Sequence, residues 1–377
     1  MIRAWLVRGA IVGAALAIAA LLVALSGIVP IGASTGHWAV TTWFLELGKR
    51  RSVATHTLGL QLPALDEPWL ALKGAGHYEG GCAPCHGSPA LPHPPIAASM
   101  TPEPPDIVPR LSVWEAEELF YIVKHGIKFT GMPAWPAQQR DDEVRAVVAF
   151  LLELPELDAA GYLELVHGDT ARASGGTALG GLGRGEPSAL IASCARCHGE
   201  TGAGRGLAAF PKLAGQKPVY LELALDAYAS SERNSGIMEP LAAALTARER
   251  ADLADYYSSL PSVLGAANAS PTANDIAAAI ERGRAIALEG IPSQGVPSCM
   301  DCHGPGAEQR NAAYPRIAGQ YADYLVLQLT LFNEGRRGGS PFAHLMQHVA
   351  ERLENEQMRD VAAYYASLVP GGAAPDE

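Results

Sequence analysis

The chain has 377 residues, with 39 acidic and 28 basic side chains and a formal net charge of −11 at pH 7. This length predicts two to four domains. The acidic balance argues against nucleic acid as a partner, because phosphate binding depends on clustered Lys and Arg. It would attract a basic protein partner, or simply keep the chain soluble.

The N-terminal segment is apolar. Two arginines among the first eight residues precede an uncharged run from Gly9 to Ala33. A helix over Gly9–Ile31 would reach about 35 Å, enough to cross a bilayer core of about 30 Å. We predict a membrane anchor over residues 1–33 with a cytoplasmic N-terminus. The alternative is a cleaved signal peptide, for which Ala24-Leu25-Ser26 offers a cleavage site.

Residues 34–70 are predicted to form an interfacial or linker segment. Trp38 and Trp43 belong to an aromatic and apolar stretch, and such rings favour the membrane–water interface. His37 and His56 are expected to be ordinary surface side chains. Contacts of these two histidines with a membrane partner are the alternative.

The pattern Cys-x-x-Cys-His then occurs three times and uses all six cysteines. The cysteines are Cys82 and Cys85, Cys194 and Cys197, and Cys299 and Cys302, and the histidines are His86, His198 and His303. This spacing attaches c-type haem: two thiols form thioethers, and the adjacent His binds the iron. A zinc knuckle does not require this His, and a disulfide framework is expected only in a short secreted chain. We therefore predict three covalently bound haem c groups; redox dithiols are the other alternative.

The second and third motifs begin an internal repeat. Phe210-Pro211-Lys212-Leu213-Ala214-Gly215-Gln216 follows the second motif, and Tyr314-Pro315-Arg316-Ile317-Ala318-Gly319-Gln320 follows the third. Both copies close with a nearly identical helix that contains paired tyrosines, at 252–260 and 360–368. Self-similarity at the period of one small domain implies duplication.

The part around the first motif differs from the repeat. It has a proline-rich loop at 91–109 and helical patterns near 113–125 and 141–154. We predict three haem domains joined by two linkers. The domains cover 71–158, 186–264 and 275–371, and the linkers cover 159–185 and 265–274. In the third domain, Gly283 is predicted to lie opposite Tyr364 or Tyr365, where the first and last helices cross.

Each predicted domain has one methionine at a similar distance beyond its motif. Met132 lies 46 residues after His86, Met238 lies 40 after His198, and Met346 lies 43 after His303. A lone Met is usually core filler, but this regular placement predicts a sixth iron ligand. His344 and His348 flank Met346 and are competing candidates; alignment of the repeat favours Met346.

Two prolines are predicted to orient the iron-binding histidines. Pro211 and Pro315 fall 13 and 12 residues after His198 and His303. Each is a candidate to present a backbone carbonyl to the second ring nitrogen of its His. The proline-rich loop of the first domain offers several equivalent carbonyls.

These residues resemble those of the class I cytochrome c family. Residues 186–370 are similar to the tandem dihaem cytochromes called cytochrome c-four, through both motifs, the Pro-x-Leu/Ile-Ala-Gly-Gln turns and the Tyr-Tyr helices. Residues 71–158 resemble a single-haem cytochrome c domain with a Thr-Gly-Met-Pro ligand loop. The resemblance implies an all-α fold. Together with the predicted anchor, the expected architecture is three small class I cytochrome c domains in tandem behind an N-terminal transmembrane helix; the anchor and the third haem depart from the soluble dihaem pattern. It also implies electron transfer between respiratory complexes in the periplasm.

The predicted function is that of a trihaem electron carrier rather than an enzyme. The anchor would lie in the bacterial inner membrane, with the haem domains in the periplasm. The expected partners are a quinol-oxidising complex or soluble cytochrome and a terminal oxidase. A cytochrome subunit of a periplasmic dehydrogenase is the alternative. A haem peroxidase would need an open iron position, and three methionine ligands argue against it.

Overall fold

The computed structural model describes residues 2–168, 187–206, 208–262, 273–304 and 311–370. Within these ranges all regular elements are helices, and the β-structure is limited to isolated bridges. The predicted all-α class is therefore confirmed. Residues 169–185 of the first predicted linker and residues 265–272 of the second lie outside the described residues.

The chain begins with α1 (Ile2–Ser26), an apolar helix with no buried residue. It is the one helix of the described part that is long and apolar enough to cross a membrane, and a signal sequence has the same properties. Helix α2 (Ala39–His56) follows. Trp38 and Trp43 stay exposed. The His56 ring stacks on Tyr121 with 5.3 Å between centroids, which attaches the end of α2 to the helices that follow.

Residues 68–168, named region I, contain six helices. They are α3 (Pro68–Gly81), α4 (Ala83–His86), α5 (Pro95–Ala98), α6 (Ala116–His125), α7 (Asp141–Glu153) and α8 (Ala159–His167). The rings of Tyr78, Phe150 and Tyr162 are fully buried together in its core. Residues 159–167 were predicted to be linker. They form α8 instead, because the burial of Tyr162 and Val166 holds this segment on region I.

Region II (187–262) and region III (273–370) contain the two copies of the repeat. Region II consists of α9 (Pro187–His198), α10 (Pro218–Ala229), α11 (Met238–Ala243) and α12 (Ala247–Ser259). Region III consists of α13 (Ala273–Glu289), α14 (Met300–His303), α15 (Ala322–Asn333), α16 (Ala343–Ala350) and α17 (Asn355–Ser367). Each region has its own core, centred on Leu253 and Tyr257 in region II and on Tyr364 and Tyr365 in region III.

Glycines allow the first helix of region I and of region III to cross a later helix closely. A Cβ at Gly74 of α3 would overlap the Ala146 carbonyl of α7. A Cβ at Gly283 of α13 would overlap the Asp360 carbonyl of α17 and lie 3.0 Å from the Cβ of Tyr364. The predicted crossing at Gly283 is thus confirmed, with Tyr364 as the tyrosine that faces it.

Regions II and III meet through their matching Gly-Gln turns. The Gln320 side chain accepts a hydrogen bond from Lys212 N and donates one to Lys212 O, both at 3.0 Å. The Gln216 side chain makes the same pair of bonds with the backbone of Arg316, both at 2.8 Å. The repeat therefore pairs with itself about an approximate two-fold axis.

Candidate haem-binding sites

The histidines of the three motifs share one hydrogen-bonding arrangement. Nδ1 of His86 lies 2.9 Å from the carbonyl oxygen of Pro105. Nδ1 of His198 lies 3.2 Å from that of Pro211, and Nδ1 of His303 lies 3.0 Å from that of Pro315. Because a carbonyl only accepts, Nδ1 must carry the proton and donate it. The lone pair of the neutral ring is then on Nε2, the nitrogen left for iron.

Burial keeps these rings neutral. Loss of solvation lowers the pKa of His86, His198 and His303, although the bond to the proline carbonyl opposes this change in each. Neutral imidazole is the form that binds a metal. Pro105 lies in the proline-rich loop, and only the folded structure selects it among the several prolines there.

The first cysteine of each motif does not ionise easily to the thiolate. Burial, together with the neighbouring thiol, raises the pKa of Cys82 and of Cys194 to about 12. Burial raises the pKa of Cys299 to about 11. Zinc binding and dithiol exchange both use the thiolate. A thioether carries no charge, so it is compatible with this partly buried setting.

The first predicted methionine lies in a braced loop between α6 and α7. The Thr130 hydroxyl donates to Ile127 O at 2.7 Å and accepts from Met132 N at 3.0 Å. Ile127 N in turn donates to Met132 O at 3.2 Å. The Met100 side chain packs so closely on Gly131 that a Cβ there would overlap its methyl group.

The second and third methionines are placed by helices. Met238 begins α11, and its N–H donates to Ser235 Oγ at 3.1 Å. Met346 lies within α16 and lines one cavity together with Cys299, Cys302 and His303. The structure therefore brings the predicted residues of the third site around a common space.

Two arginines near the pseudo-two-fold axis, the buried Arg233 and the partly buried Arg337, were missed in the sequence. Arg233 donates to Tyr324 Oη at 3.4 Å and to Gln328 Oε1 at 3.2 Å. Arg337 donates to Tyr220 Oη at 3.1 Å. Among the described residues, no carboxylate forms an ion pair with either guanidinium. Burial and the charge of Arg233 lower the pKa of Arg337.

Buried cations are costly unless an anion is near. The two propionates of a haem would supply that charge, so these arginines fit the group as well as the Cys and His residues do. Arg233 and Arg337 lie 35 and 34 residues after His198 and His303. Alignment of the repeat was the signal that would have found them.

Comparisons with known proteins match two families of cytochromes. A family described as "Cytochrome c" matches residues 185–261 and 280–368, and one described as "Cytochrome C oxidase, cbb3-type, subunit III" matches residues 70–151. The "Thiosulfate dehydrogenase electron acceptor" of Stutzerimonas stutzeri is 33% identical over 210 residues, which are 55% of this chain and 93% of the relative. The chain belongs to the cytochrome c family. Its role is therefore that of an electron carrier, and the predicted class I cytochrome c membership is confirmed.

Dihaem relatives match about half of this cytochrome c. Cytochrome c4 of Thiocapsa roseopersicina is 35% identical over 177 residues, which are 46% of this chain and 86% of the relative. The crystal structure of reduced recombinant cytochrome c4 from Pseudomonas stutzeri is 30% identical, with a TM-score of 0.44. The match covers 48% of this chain and 97% of the chain in that crystal structure.

Helix α3 of region I runs along the second attachment site of the cytochrome. A Cβ at Gly76 would lie 3.2 Å from Cys197 Sγ and 3.0 Å from the Phe210 ring. Gly76 is also in the helix that leads into the first motif. Region I thus covers the Cys197 side of the second site.

Proposed function

We propose that this cytochrome c binds three haem c groups, one in each of the domains 71–158, 186–264 and 275–371. The axial pairs would be His86 with Met132, His198 with Met238, and His303 with Met346. One observation supports this most: each of the three cysteine pairs is followed by a partly buried His whose Nδ1 lies within hydrogen-bond distance of a proline carbonyl oxygen. When bound, a haem with both axial positions filled transfers single electrons rather than binding a substrate.

The haem count tests this proposal. A pyridine haemochrome assay on the purified chain, with the protein concentration measured independently, should return three haems per chain. Replacement of Cys299 and Cys302 by Ser should reduce the count to two and remove only the third site. A count below three in the unaltered chain would contradict the proposal.

We propose further that α1 anchors the protein in the bacterial inner membrane, with the haem domains in the periplasm. The support is the uncharged run of α1 and the exposed aromatic side chains at the start of α2. The protein should remain in the membrane fraction at high salt and be released by detergent. N-terminal sequencing decides between the alternatives, because a mature chain that starts near residue 27 would indicate a cleaved signal peptide.

For the partners, we propose a relay from a quinol-oxidising complex or soluble cytochrome to a terminal oxidase. The second candidate is the cytochrome subunit of a periplasmic dehydrogenase. The names of two relatives favour it, since both are called thiosulfate dehydrogenase electron acceptors. Stopped-flow reduction of the oxidised chain by each donor separates the two roles: rapid reduction by thiosulfate dehydrogenase and thiosulfate, but not by the quinol-oxidising complex, would favour the second.

A further inference from the structure

A buried carboxylate lies where region I meets region II. Glu143 is in the first turn of α7, and only 1% of its surface is exposed. Arg140 pairs with it across 3.1 Å. In the sequence it resembles the ordinary acidic residues that favour a helix N-terminus, but its other partners belong to segments that carry iron-ligand candidates.

On the region I side, Glu143 holds the loop of Met132. Trp135 lies three residues after Met132, and its indole N–H donates to Glu143 Oε2 at 3.1 Å. The backbone N–H of Trp135 donates to Lys124 O at 3.0 Å, at the end of α6. The loop is therefore fixed at two points, one of which is the carboxylate.

On the region II side, Glu143 holds the segment that leads into Met238. Ser235 Oγ donates to Glu143 Oε1 at 2.7 Å, and Gly236 N donates to Glu143 Oε2 at 2.7 Å. Ser235 Oγ also accepts from Met238 N at 3.1 Å. Two hydrogen bonds in series thus connect Glu143 to the backbone of the second methionine.

Close packing leaves this junction little freedom. A Cβ at Gly236 would overlap the Trp135 ring. Arg140 Nη1 donates to Asn234 O at 2.7 Å, which ties the adjacent residue to region I. The third methionine has no such connection: among the described residues, the hydrogen bonds of its helix α16 stay within region III.

We propose that Glu143 is a positioning residue shared by the first and second sites. One carboxylate fixes the Met132 loop through Trp135 and the Met238 segment through Ser235 and Gly236. The axial geometries of these two sites are therefore set together, and that of the third site is set separately. The inference rests on the proposed axial pairs.

The test measures methionine-to-iron absorption in the oxidised full-length protein, normalised to the haem count. Glu143→Ala should reduce this absorption toward about one third of the unaltered value, because only the third His/Met site stays intact. Trp135→Phe removes one indole donor and should affect the first site alone. Ser235→Ala removes one hydroxyl and should affect the second site alone. Glu153→Ala, at the exposed end of the same helix, is the matched control and should change nothing.

The outcomes separate this inference from the proposed function. If Glu143→Ala and both milder variants retain the full absorption, the shared role is wrong while the axial pairs stand. An equal loss at all three sites would indicate that Glu143→Ala unfolds the protein. In that case the inference holds only if Trp135→Phe affects the first site alone and Ser235→Ala affects the second site alone. If the unaltered protein carries three haems but shows no methionine absorption from the first two sites, the axial pairs and this inference both fail.

Discussion

The region I–II contact and the region II–III contact are built in different ways. Regions II and III meet through equivalent residues: Gln216 and Gln320 make matching bonds, and Arg233 and Arg337 each reach a tyrosine of the other region. Regions I and II meet through residues that have no counterpart in the repeat. The main one is Glu143, which is buried and pairs with Arg140. When a duplicated unit contacts its own copy, the same residues can serve both sides of the contact, as in a symmetric dimer. Region I is not a copy of region II, so their contact requires different residues on its two sides.

Loss of a charge at the region I–II junction should have the largest effect on stability. Arg140→Ala would leave the buried Glu143 without its cation and the partly buried Asp142 with Lys73 alone. Breaking a buried pair from one side costs about 3–5 kcal/mol, so we expect a decrease of this size in the free energy of unfolding of region I, measured by urea titration.

The matched control is Arg248→Ala. The Arg248 side chain is 89% exposed and, within the described part of the chain, forms its one ion pair with Asp252 on its own helix, so about 0.5 kcal/mol or less is expected. Equal effects of the two substitutions would show that the region I–II junction does not depend on its buried charges.

Acid should weaken the same junction. Burial alone would raise the pKa of Asp142, but Lys73 and Arg140 outweigh it and hold that pKa well below its usual value. A carboxyl group with a depressed folded pKa stabilises the protein above its unfolded pKa of about 3.9, and this contribution is lost as the pH falls through the folded pKa. Asp142→Asn should therefore cost on the order of 2 kcal/mol at pH 7.

The difference between the unaltered protein and Asp142→Asn should shrink as the pH falls below about 4. Unfolding titrations of both proteins at pH 7, 5 and 3.5 measure it. A difference that stays constant over this range would mean that the ion pairs of Asp142 contribute nothing. Asp252→Asn, at a 64% exposed position, is the control and should leave stability almost unchanged at each pH.

At the region II–III contact, matched substitutions should have matched effects. Gln216→Ala and Gln320→Ala each remove one side chain that bonds twice to the opposite turn, at a cost of about 1–2 kcal/mol. The two costs should agree within about 0.5 kcal/mol and add in the double variant, because the glutamines share no partner. Urea unfolding of regions II and III measures both. A threefold difference between them would contradict the approximate symmetry of this contact.

The sequence predicted what depends on local spacing. The six cysteines, the three histidines and the carbonyl partners Pro211 and Pro315 could be named because they fall at fixed distances within a motif or a repeat. The close crossing at Gly283 followed from the expectation that the first and last helices of a small haem domain cross closely. Arg233 and Arg337 were within reach of this reasoning, since they also occupy equivalent positions.

What the sequence did not predict depends on packing between distant segments. Ser235 and Glu143 are 92 residues apart in the chain, and nothing near Glu143 distinguishes it from its acidic neighbours. Pro105 is one of several prolines in its loop, and only tertiary packing places its carbonyl at His86. Helix α8 was taken as linker because its burial depends on contacts with α3.

The smallest expected effect concerns the two arginines. Arg233→Met and Arg337→Met retain much of the side-chain length but remove a buried positive charge near the second and third sites. Loss of this charge disfavours reduction, because the reduced haem carries one more negative charge. We expect lower midpoint potentials at these two sites, by about 30 mV, which for one electron is about 0.7 kcal/mol.

Spectroelectrochemical titration measures the three potentials; Arg248→Met should change none of them, and the first haem should be unaffected throughout. A shift confined to one site would mean that the arginines, despite their equivalent positions, do not serve the two haems alike.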